Sequence, residues 1–322
     1  MYFYLAPMEG ITGFVYRNAF AKYFGGVEKY FTPFLTPSQK VYLNKKEKKD
    51  VMPEVNSGII VVPQIMTNKA EHFTGLQKEL IKLGYNEINL NLGCPAPTVV
   101  TKGKGAGFLA DTEKLDEFLY DIFEKDLCDI SIKTRLGVSE PEEIFPLMDI
   151  YNKYSMTELI VHPRVREDFY KNSVNLDVFE QVMKMSKNKI VYNGDIHSLE
   201  DYICFADRFK DVDKMMLGRG LLYHPDLILS IEHYENNNFD HNGYKCDVEK
   251  IIKFMDEVMI GYYNYMKSEK NVLFRMKELW LYFHKSISDG EKYWKKICKA
   301  KDFKDYYKII SMIQENICET VN

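Results

Sequence analysis

The residues with the clearest chemical potential lie in one short stretch, residues 87–97, which reads EINLNLGCPAP. Its apolar residues at 88, 90 and 92 alternate with Asn89 and Asn91, a period typical of a strand with one apolar and one polar face. Pro95 has no N–H and ends the ladder, so Cys94 is expected at the carboxyl end of a strand, where parallel α/β proteins carry chemistry. Taken alone, Cys94 is either a buried structural cysteine or a reactive thiol.

Other polar residues also follow short apolar runs. They are Ala6-Pro-Met-Glu-Gly10, Gln64, Lys133 with Arg135, His162-Pro-Arg164, Asn193-Gly-Asp195 and Gly218-Arg-Gly220. Each could be a structural hydrogen-bonding residue. If all stand at strand ends, they share one rim with Cys94, which favours a site.

Two of these groups indicate an anionic ligand. Asn193-Gly-Asp195 and Gly218-Arg-Gly220 offer unhindered backbone N–H groups, and Arg219 adds a fork of donors, as at the phosphate position of β/α barrels. Lys133 adds a cation nearer the centre. Flavin mononucleotide fits this pattern, and a sugar phosphate fits its phosphate half equally well.

The elements that position these residues are eight apolar runs that alternate with helical patterns. The predicted strands are Phe3–Ala6, Lys29–Thr32, Ile59–Ile65, Glu87–Leu92, Asp129–Arg135, Glu158–His162, Lys189–Asn193 and Asp213–Leu217. The predicted helices cover about 13–24, 69–82, 112–125, 141–153, 174–186, 198–208 and 224–234. This alternation predicts a (β/α)8 TIM barrel, and the charged residues 36–57 are expected to form a solvated helix or loop.

The pattern changes near residue 242, after which helical periodicity continues without strands. We therefore predict a barrel domain at 1–240 and a small all-helical domain at 241–322, joined by a polar linker at 236–243. The net charge of the chain is −4, and residues 241–322 hold 15 Lys/Arg against 12 Asp/Glu. The helical part is thus basic and the barrel acidic, which is an asymmetry compatible with an RNA-binding tail.

Composition narrows the class of protein. The six cysteines show no Cys-x-x-Cys pair and no ligand spacing with histidine, which argues against zinc and against a disulfide framework. No metal is expected. The sequence contains no long apolar run and no basic leader, so we predict no membrane span and no signal peptide. We expect a cytoplasmic monomer.

Together the motifs resemble those of the tRNA-dihydrouridine synthases. The similar segments, in the family's order, are Ala6–Thr12, Pro63–Ile65, Asn91–Pro97, Ile132–Gly137, Val161–Arg166, Asn193–Ile196 and Leu217–Gly220. The resemblance covers roughly residues 4–225, and Asn-x-Gly-Cys-Pro together with Asn-Gly-Asp-Ile makes it specific.

The resemblance implies an enzyme that binds FMN in a barrel, takes hydride from NADPH and reduces the 5,6 double bond of particular tRNA uridines. The implied flavin-lining residues are Pro7, Met8, Glu9, Gln64, Lys133, His162, Asn193, Gly194, Asp195, Gly218 and Arg219. Asn91 would hold the target uracil, and Cys94 would be the general acid.

The chemistry accounts for a cysteine in that role. Hydride adds to C6 of the uracil, and C5 must then receive a proton. A thiol with a pKa of about 8.5 is mostly protonated at neutral pH yet acidic enough to donate its proton. Cys94 should therefore not be a low-pKa thiolate.

The target base must be extruded from folded tRNA, so contacts to the RNA backbone are also expected. The candidates are Lys102 and Lys104 in the loop after Cys94, Arg164 at a strand end, and Arg275, Lys277 and Lys295 in the helical part. Pro163, Val165 and Asp168 depart from the residues frequent in the family, which bears on the contacts around His162.

Two other functions remain open at this point. A flavin barrel could reduce a small metabolite, although such a reductase has no use for a basic helical tail. An RNA-binding module with an inactive barrel is the other alternative, and the joint presence of Cys94, Lys133 and Arg219 argues against it.

Overall fold

The structure, a computed structural model, describes residues 1–237 and 244–321, with residues 317–321 described by their backbone alone. Within that part of the chain one parallel sheet is present. Its strands are β1 (Tyr2–Leu5), β2 (Val27–Phe31), β3 (Val61–Val62), β4 (Gln64–Ile65), β5 (Glu87–Leu92), β6 (Asp129–Gly137), β7 (Leu159–Val165), β8 (Ile190–Tyr192) and β9 (Lys214–Leu217).

The strand order is β3-β2-β1-β9-β8-β7-β6-β5-β4, with every neighbouring pair parallel. The two strands at the ends of this order, β3 and β4, are separated in the chain by Pro63 alone. The sheet is therefore a nearly closed barrel, and the predicted TIM-barrel class is confirmed.

The third predicted strand was wrong in one respect, because Ile59–Ile65 is not continuous. Pro63 has no N–H to donate, and the chain on either side of it pairs with a different neighbour, β2 before it and β5 after it. The predicted end of the sixth strand at His162 was also too early, since β7 continues to Val165.

The helices, in chain order, are α1 (Phe14–Tyr23), α2 (Lys45–Asp50), α3 (Ala70–Lys82), α4 (Pro97–Val100), α5 (Thr112–Phe123), α6 (Ile144–Tyr151), α7 (Leu176–Met185), α8 (Leu199–Arg208), α9 (Arg219–Tyr223), α10 (Leu227–Asn236), α11 (Val248–Met266), α12 (Glu269–Phe283), α13 (Gly290–Lys299) and α14 (Phe303–Val321). Short 3-10 turns occur at Pro53–Val55, Gly105–Ala110, Pro141–Glu143 and His284–Ser286. Several helices begin at a side-chain cap, as where Asp111 accepts from the backbone N–H of Lys114 at 3.2 Å.

The chain divides into two compact units. The first comprises Met1–Phe14, Val27–Asp195 and Phe209–Leu217, and holds all nine strands of the sheet together with α2–α7. Its barrel interior contains an apolar cluster of Tyr4, Ala6, Phe31, Val62, Ile160, Val191 and Met216. On β5 and β6 the interior is polar instead, because Asn89 and Ser131 pair in register and both are fully buried.

The second unit comprises Val15–Gly26, Ile196–Arg208 and Gly218–Asn322, and contains α1 and α8–α14. Phe254 of α11 lies at its centre and makes edge contacts with Phe20, Phe24 and Phe283 at 5.2–6.2 Å between ring centroids. The predicted linker at 236–243, with the predicted boundary after residue 240, lies mostly outside the described residues. The division at 1–240 and 241–322 stays a prediction.

Candidate active site

Hydrogen bonds to Asn91 and to Ala106 fix the turn that carries Cys94. The side-chain oxygen of Asn91 accepts the backbone N–H groups of Gly93 at 3.1 Å and of Cys94 at 3.0 Å. The Cys94 carbonyl accepts the N–H of Ala106 at 3.0 Å. Gly105 allows this approach, because its φ is +54° and a Cβ there would lie 2.8 Å from the Cys94 carbonyl oxygen. Cys94 therefore has a defined position directly after β5.

The environment of the Cys94 thiol keeps it protonated. Burial raises the pKa of this half-buried thiol, and the N–H of Ala96 and the charges of Arg135 and Lys133 offset the rise only in part. A thiol of this kind can donate a proton at neutral pH and is not an activated thiolate. The direction of the shift agrees with the chemistry expected of a general acid.

Lys133 carries an amine that lacks a counter-charge within the described residues. It is half-buried on β6, and within the described residues no hydrogen bond or ion pair reaches its amine. Burial, together with the nearby positive charge of Arg135, lowers the pKa of Lys133 from 10.5 to about 7. Since burial of an uncompensated ammonium is unfavourable, this position fits a bound anionic group.

Gln64 and Asn91 lie in contact with each other. The Asn91 amide nitrogen donates to Gln64 Oε1 at 2.6 Å, and Gln64 Nε2 donates to Asn89 Oδ1 at 2.8 Å. Gln64 is fully buried and is the first residue of β4, directly after Pro63. The structure thus joins Gln64, which the resemblance assigns to the flavin, to Asn91, which it assigns to the uracil, and through Asn91 to the Cys94 turn.

His162 and Arg164 of β7 form one cluster with Asp195 of the loop after β8. Arg164 makes a two-pronged ion pair with Asp195, with 3.0 Å between Nη1 and Oδ1, and also donates to the Asn172 carbonyl at 2.5 Å. Its Nη1 lies 3.2 Å from His162 Nε2, and because guanidinium groups only donate, that nitrogen accepts. Arg164 is 2% exposed, and its guanidinium is bound to these partners; its contact with RNA stays a prediction.

Arg135 is a site residue that the sequence reasoning left without a role. Its guanidinium donates to the carbonyls of Gly93, Val165 and Phe169, each at 2.9 Å, and lies 5.3 Å from the centre of the Tyr170 ring. It therefore ties the Cys94 turn to the loop after β7. The signal was present in the Lys-x-Arg spacing of β6, which places both side chains on the inward face.

Asn193 and Gly194 follow β8 directly. The Asn193 amide donates to the Met216 carbonyl of β9 at 2.7 Å, which fixes the ends of these two strands together. A Cβ at Gly194 would lie 1.9 Å from the Tyr192 hydroxyl, so only glycine fits there. In the second unit, Gly218 is the N-cap residue of the short helix α9, which Arg219 begins.

The loop after β1 carries the predicted residues Pro7, Met8 and Glu9. The N–H of Met8 donates to Thr12 Oγ1 at 2.8 Å, and the Met8 carbonyl accepts the N–H groups of Ile11 and Thr12, which forms a compact turn. The Glu9 carboxylate is exposed and pairs with Lys46 of α2 at 3.2 Å.

A group of lysines lies beside the loop that follows Cys94. The pKa of Lys104 is lowered by burial and by the positive charges of Lys102 and Lys69. The Asn68 amide holds the loop through the Lys102 carbonyl at 3.0 Å. Lys69 was missed by the sequence reasoning, because its proximity depends on the fold.

The three predicted RNA contacts in the second unit all have protein partners. Arg275 pairs with Glu278 at 2.6 Å, Lys295 pairs with Glu291 at 2.6 Å, and Lys277 donates to the Ala300 carbonyl at 2.7 Å. Among residues 1–237 and 244–321, no group of three or more His, Cys, Asp or Glu side chains is arranged to hold a metal ion. No helix in the described part of the chain is long and apolar enough to span a membrane.

Comparison with known proteins extends the similarity over nearly the whole chain. Residues 4–318 match the family model described as "Dihydrouridine synthase (Dus)". The "tRNA-dihydrouridine(16) synthase" of Neisseria meningitidis serogroup A is 24% identical over 320 residues, covering 97% of this chain and 95% of the relative. The "Probable tRNA-dihydrouridine synthase 2" of Bacillus subtilis is 26% identical over 230 residues, covering 70% of each chain.

Solved structures share the fold at low sequence identity. Morphinone reductase superposes with a TM-score of 0.51 at 11% identity, covering 72% of this chain and 85% of that one. The old yellow enzyme from Trypanosoma cruzi superposes with a TM-score of 0.53 at 8% identity, covering 72% and 88%. At such identities the likeness establishes the barrel fold.

Proposed function

This chain belongs to the dihydrouridine synthase family, and from that premise we propose that it is an FMN- and NADPH-dependent reductase of specific tRNA uridines. Two features carry the proposal. The Cys94 thiol is protonated at neutral pH, and it lies near Lys133, an amine with a lowered pKa and no counter-ion within the described residues.

The residues around the mouth fit a flavin. Lys133 would supply positive charge to an electron-rich ring system, and its lack of a partner in the described residues leaves it available. Gln64 begins β4 and His162 lies on β7 of the same sheet, and Asn193 and Gly194 follow β8. Pro7, Met8, Glu9 and Asp195 complete the set in the first unit. The phosphate-binding roles of Gly218 and Arg219 rest on the family resemblance.

FMN, once reduced by NADPH, would supply the hydride that adds to C6 of the uracil. Cys94 then donates its proton to C5, so the base gains one hydride and one proton and the 5,6 double bond becomes single. The resulting thiolate takes a proton from solvent before the next turnover. Arg135 and Lys133, both close to Cys94, stabilise that transient negative charge.

The remaining residues would hold the RNA. Asn91 is the candidate for contact with the target uracil. Lys69, Lys102 and Lys104 form a positive group beside the Cys94 loop, suited to backbone phosphates near an extruded base. Arg275, Lys277 and Lys295 are proposed to contact other phosphates of the tRNA.

The test is to map dihydrouridine in tRNA from cells that lack this gene. We expect loss at one D-loop position or close to it. The name of the Neisseria relative carries position 16, which makes that position the first to examine. Unchanged tRNA in a strain without a second gene of the family would contradict the proposal. Turnover of small enones by the purified protein, with none of tRNA, would favour a small-metabolite reductase instead.

A further inference from the structure

A continuous line of hydrogen-bonded side chains crosses the polar half of the barrel. Ser131 Oγ donates to Glu87 Oε1 at 2.9 Å, and Asn89 Nδ2 donates to Ser131 Oγ at 3.0 Å. Gln64 Nε2 donates to Asn89 Oδ1, and Asn91 Nδ2 donates to Gln64 Oε1. The line ends where Asn91 Oδ1 accepts the backbone N–H groups of the Cys94 turn.

The Glu87 carboxylate determines which group donates and which accepts in each hydrogen bond of this line. An ionised carboxylate only accepts, so the Ser131 hydroxyl must donate to Glu87 and can then only accept from Asn89. Asn89 consequently turns its oxygen toward Gln64, whose own oxygen faces the Asn91 amide nitrogen. Asn91 is left with its oxygen facing the Cys94 turn. The opposite direction would set an amide N–H group against two backbone N–H groups.

The carboxylate end is anchored by a buried ionic cluster. Lys29 Nζ lies 2.7 Å from Glu87 Oε2 and 3.2 Å from Glu158 Oε2. Glu158 is 1% exposed and also accepts from Lys214 and from the Tyr4 hydroxyl, each at 2.6 Å. Burial favours the neutral form of Glu158, but these donors and Lys29 outweigh it and hold its pKa below the usual range.

We propose that Ser131 and Asn89 are positioning residues. Because the Glu87 carboxylate can only accept hydrogen bonds, they orient the carboxamides of Gln64 and Asn91 so that the Asn91 oxygen accepts from the Cys94 turn. Within the described residues no hydrogen bond joins either side chain to the Cys94 thiol; they fix which way two carboxamides point. The catalytic meaning of this role rests on the proposed function of Cys94. The positional effect is a property of the protein alone.

The experiment measures alkylation of Cys94 by iodoacetamide in the flavin-free protein, with the Cys94 peptide quantified by mass spectrometry from pH 6 to 10. Ser131→Ala leaves Asn89 Nδ2 and Glu87 Oε1 each without this partner and weakens the Asn91 bonds to the turn. We expect the rate at pH 7.5 to rise about fivefold, the population change expected for loss of one typical hydrogen bond. The midpoint of the pH profile should also fall, as the thiol becomes better solvated.

Three further variants make the result decisive. Asn89→Leu breaks the line at the next residue and should give a similar increase. Ser131→Thr retains the hydroxyl and should react as slowly as the parent protein. Tyr151→Phe removes another fully buried hydroxyl, which lies 3.0 Å from Thr134 Oγ1 outside the line, and should lower the melting temperature without changing the alkylation rate.

Parent-like alkylation in folded Ser131→Ala and Asn89→Leu proteins would overturn the proposal. So would a folded Ser131→Thr protein that reacts as fast as Ser131→Ala, or an equal increase in Tyr151→Phe. Because the assay contains neither flavin nor tRNA, its outcome is separate from that of dihydrouridine mapping. Failure of either experiment leaves the other interpretable.

Discussion

Replacement of Lys133 by methionine is expected to stabilise the flavin-free protein while weakening flavin binding. Methionine keeps much of the side-chain length and removes the charge. The pKa of Lys133 falls from 10.5 to about 7 mainly because burial disfavours the ammonium. At about 1.4 kcal/mol for each tenfold change in proton affinity, this shift corresponds to about 5 kcal/mol, an upper limit because the barrel mouth relaxes around the charge.

The sign of the pH dependence follows from the two states of the chain. Below pH 7 Lys133 is charged in both the folded and the unfolded protein, so the folded state bears the whole penalty. Between about pH 7 and 10.5 the unfolded chain binds more protons at this residue, and the stability of the parent protein rises with pH. The advantage of Lys133→Met should therefore be largest at pH 6, at about 1–3 kcal/mol, and should decline steadily above pH 7.

FMN binding should depend on pH in the opposite sense, because affinity should fall where the stability of the flavin-free protein rises. Above pH 7 the free amine must take up a proton to pair with an anionic ligand, so FMN affinity of the parent protein should fall up to tenfold per pH unit. Lys133→Met should bind FMN more weakly at pH 7 and lose this dependence. The measurements are urea unfolding of the flavin-free proteins and titrations of flavin fluorescence at pH 7–9, above the second pKa of the phosphate.

Lys102→Met is the matched control, because it removes a lysine that is exposed. It should change neither the unfolding free energy nor FMN affinity. A Lys133→Met protein less stable than its parent at pH 6 would refute the burial argument. An unchanged pH dependence of FMN affinity would refute the assignment of Lys133 to the flavin.

Three other predictions concern separate parts of the site. Cys94→Ser should keep bound flavin, seen by its absorbance, and lose most dihydrouridine formation, because a hydroxyl is a far weaker acid; full turnover would remove the proton-donor role. Arg164→Met leaves Asp195 without its two-pronged partner and should cost about 2–4 kcal/mol in urea unfolding, whereas an exposed ion pair would cost under about 1 kcal/mol. Lys104→Ala should weaken tRNA binding and reduce the slope of log affinity against log salt by about 1, and an unchanged slope would show that this amine does not contact phosphate.

Local pattern was sufficient for the positions of most strands and for the placement of Cys94. The alternation through 87–92 gave the inward and outward faces of β5, and Pro95 marked the strand end. The same reasoning missed the interruption at Pro63, because a run of apolar residues does not reveal that its two halves pair with different neighbours. It also placed the end of β7 three residues early, since Pro163 in a strand usually signals its termination.

Local periodicity therefore predicts the set of chemical groups and the end of the sheet at which they lie, because periods of 2 and 3.6 residues are properties of single segments. The partner of each polar group depends on the fold. Arg164 pairs with Asp195, Gln64 joins Asn89 to Asn91, and Lys133 has no counter-ion within the described residues. Partners this far apart in the chain are set by the register of neighbouring strands and by burial, and the periodicity of a single segment contains neither.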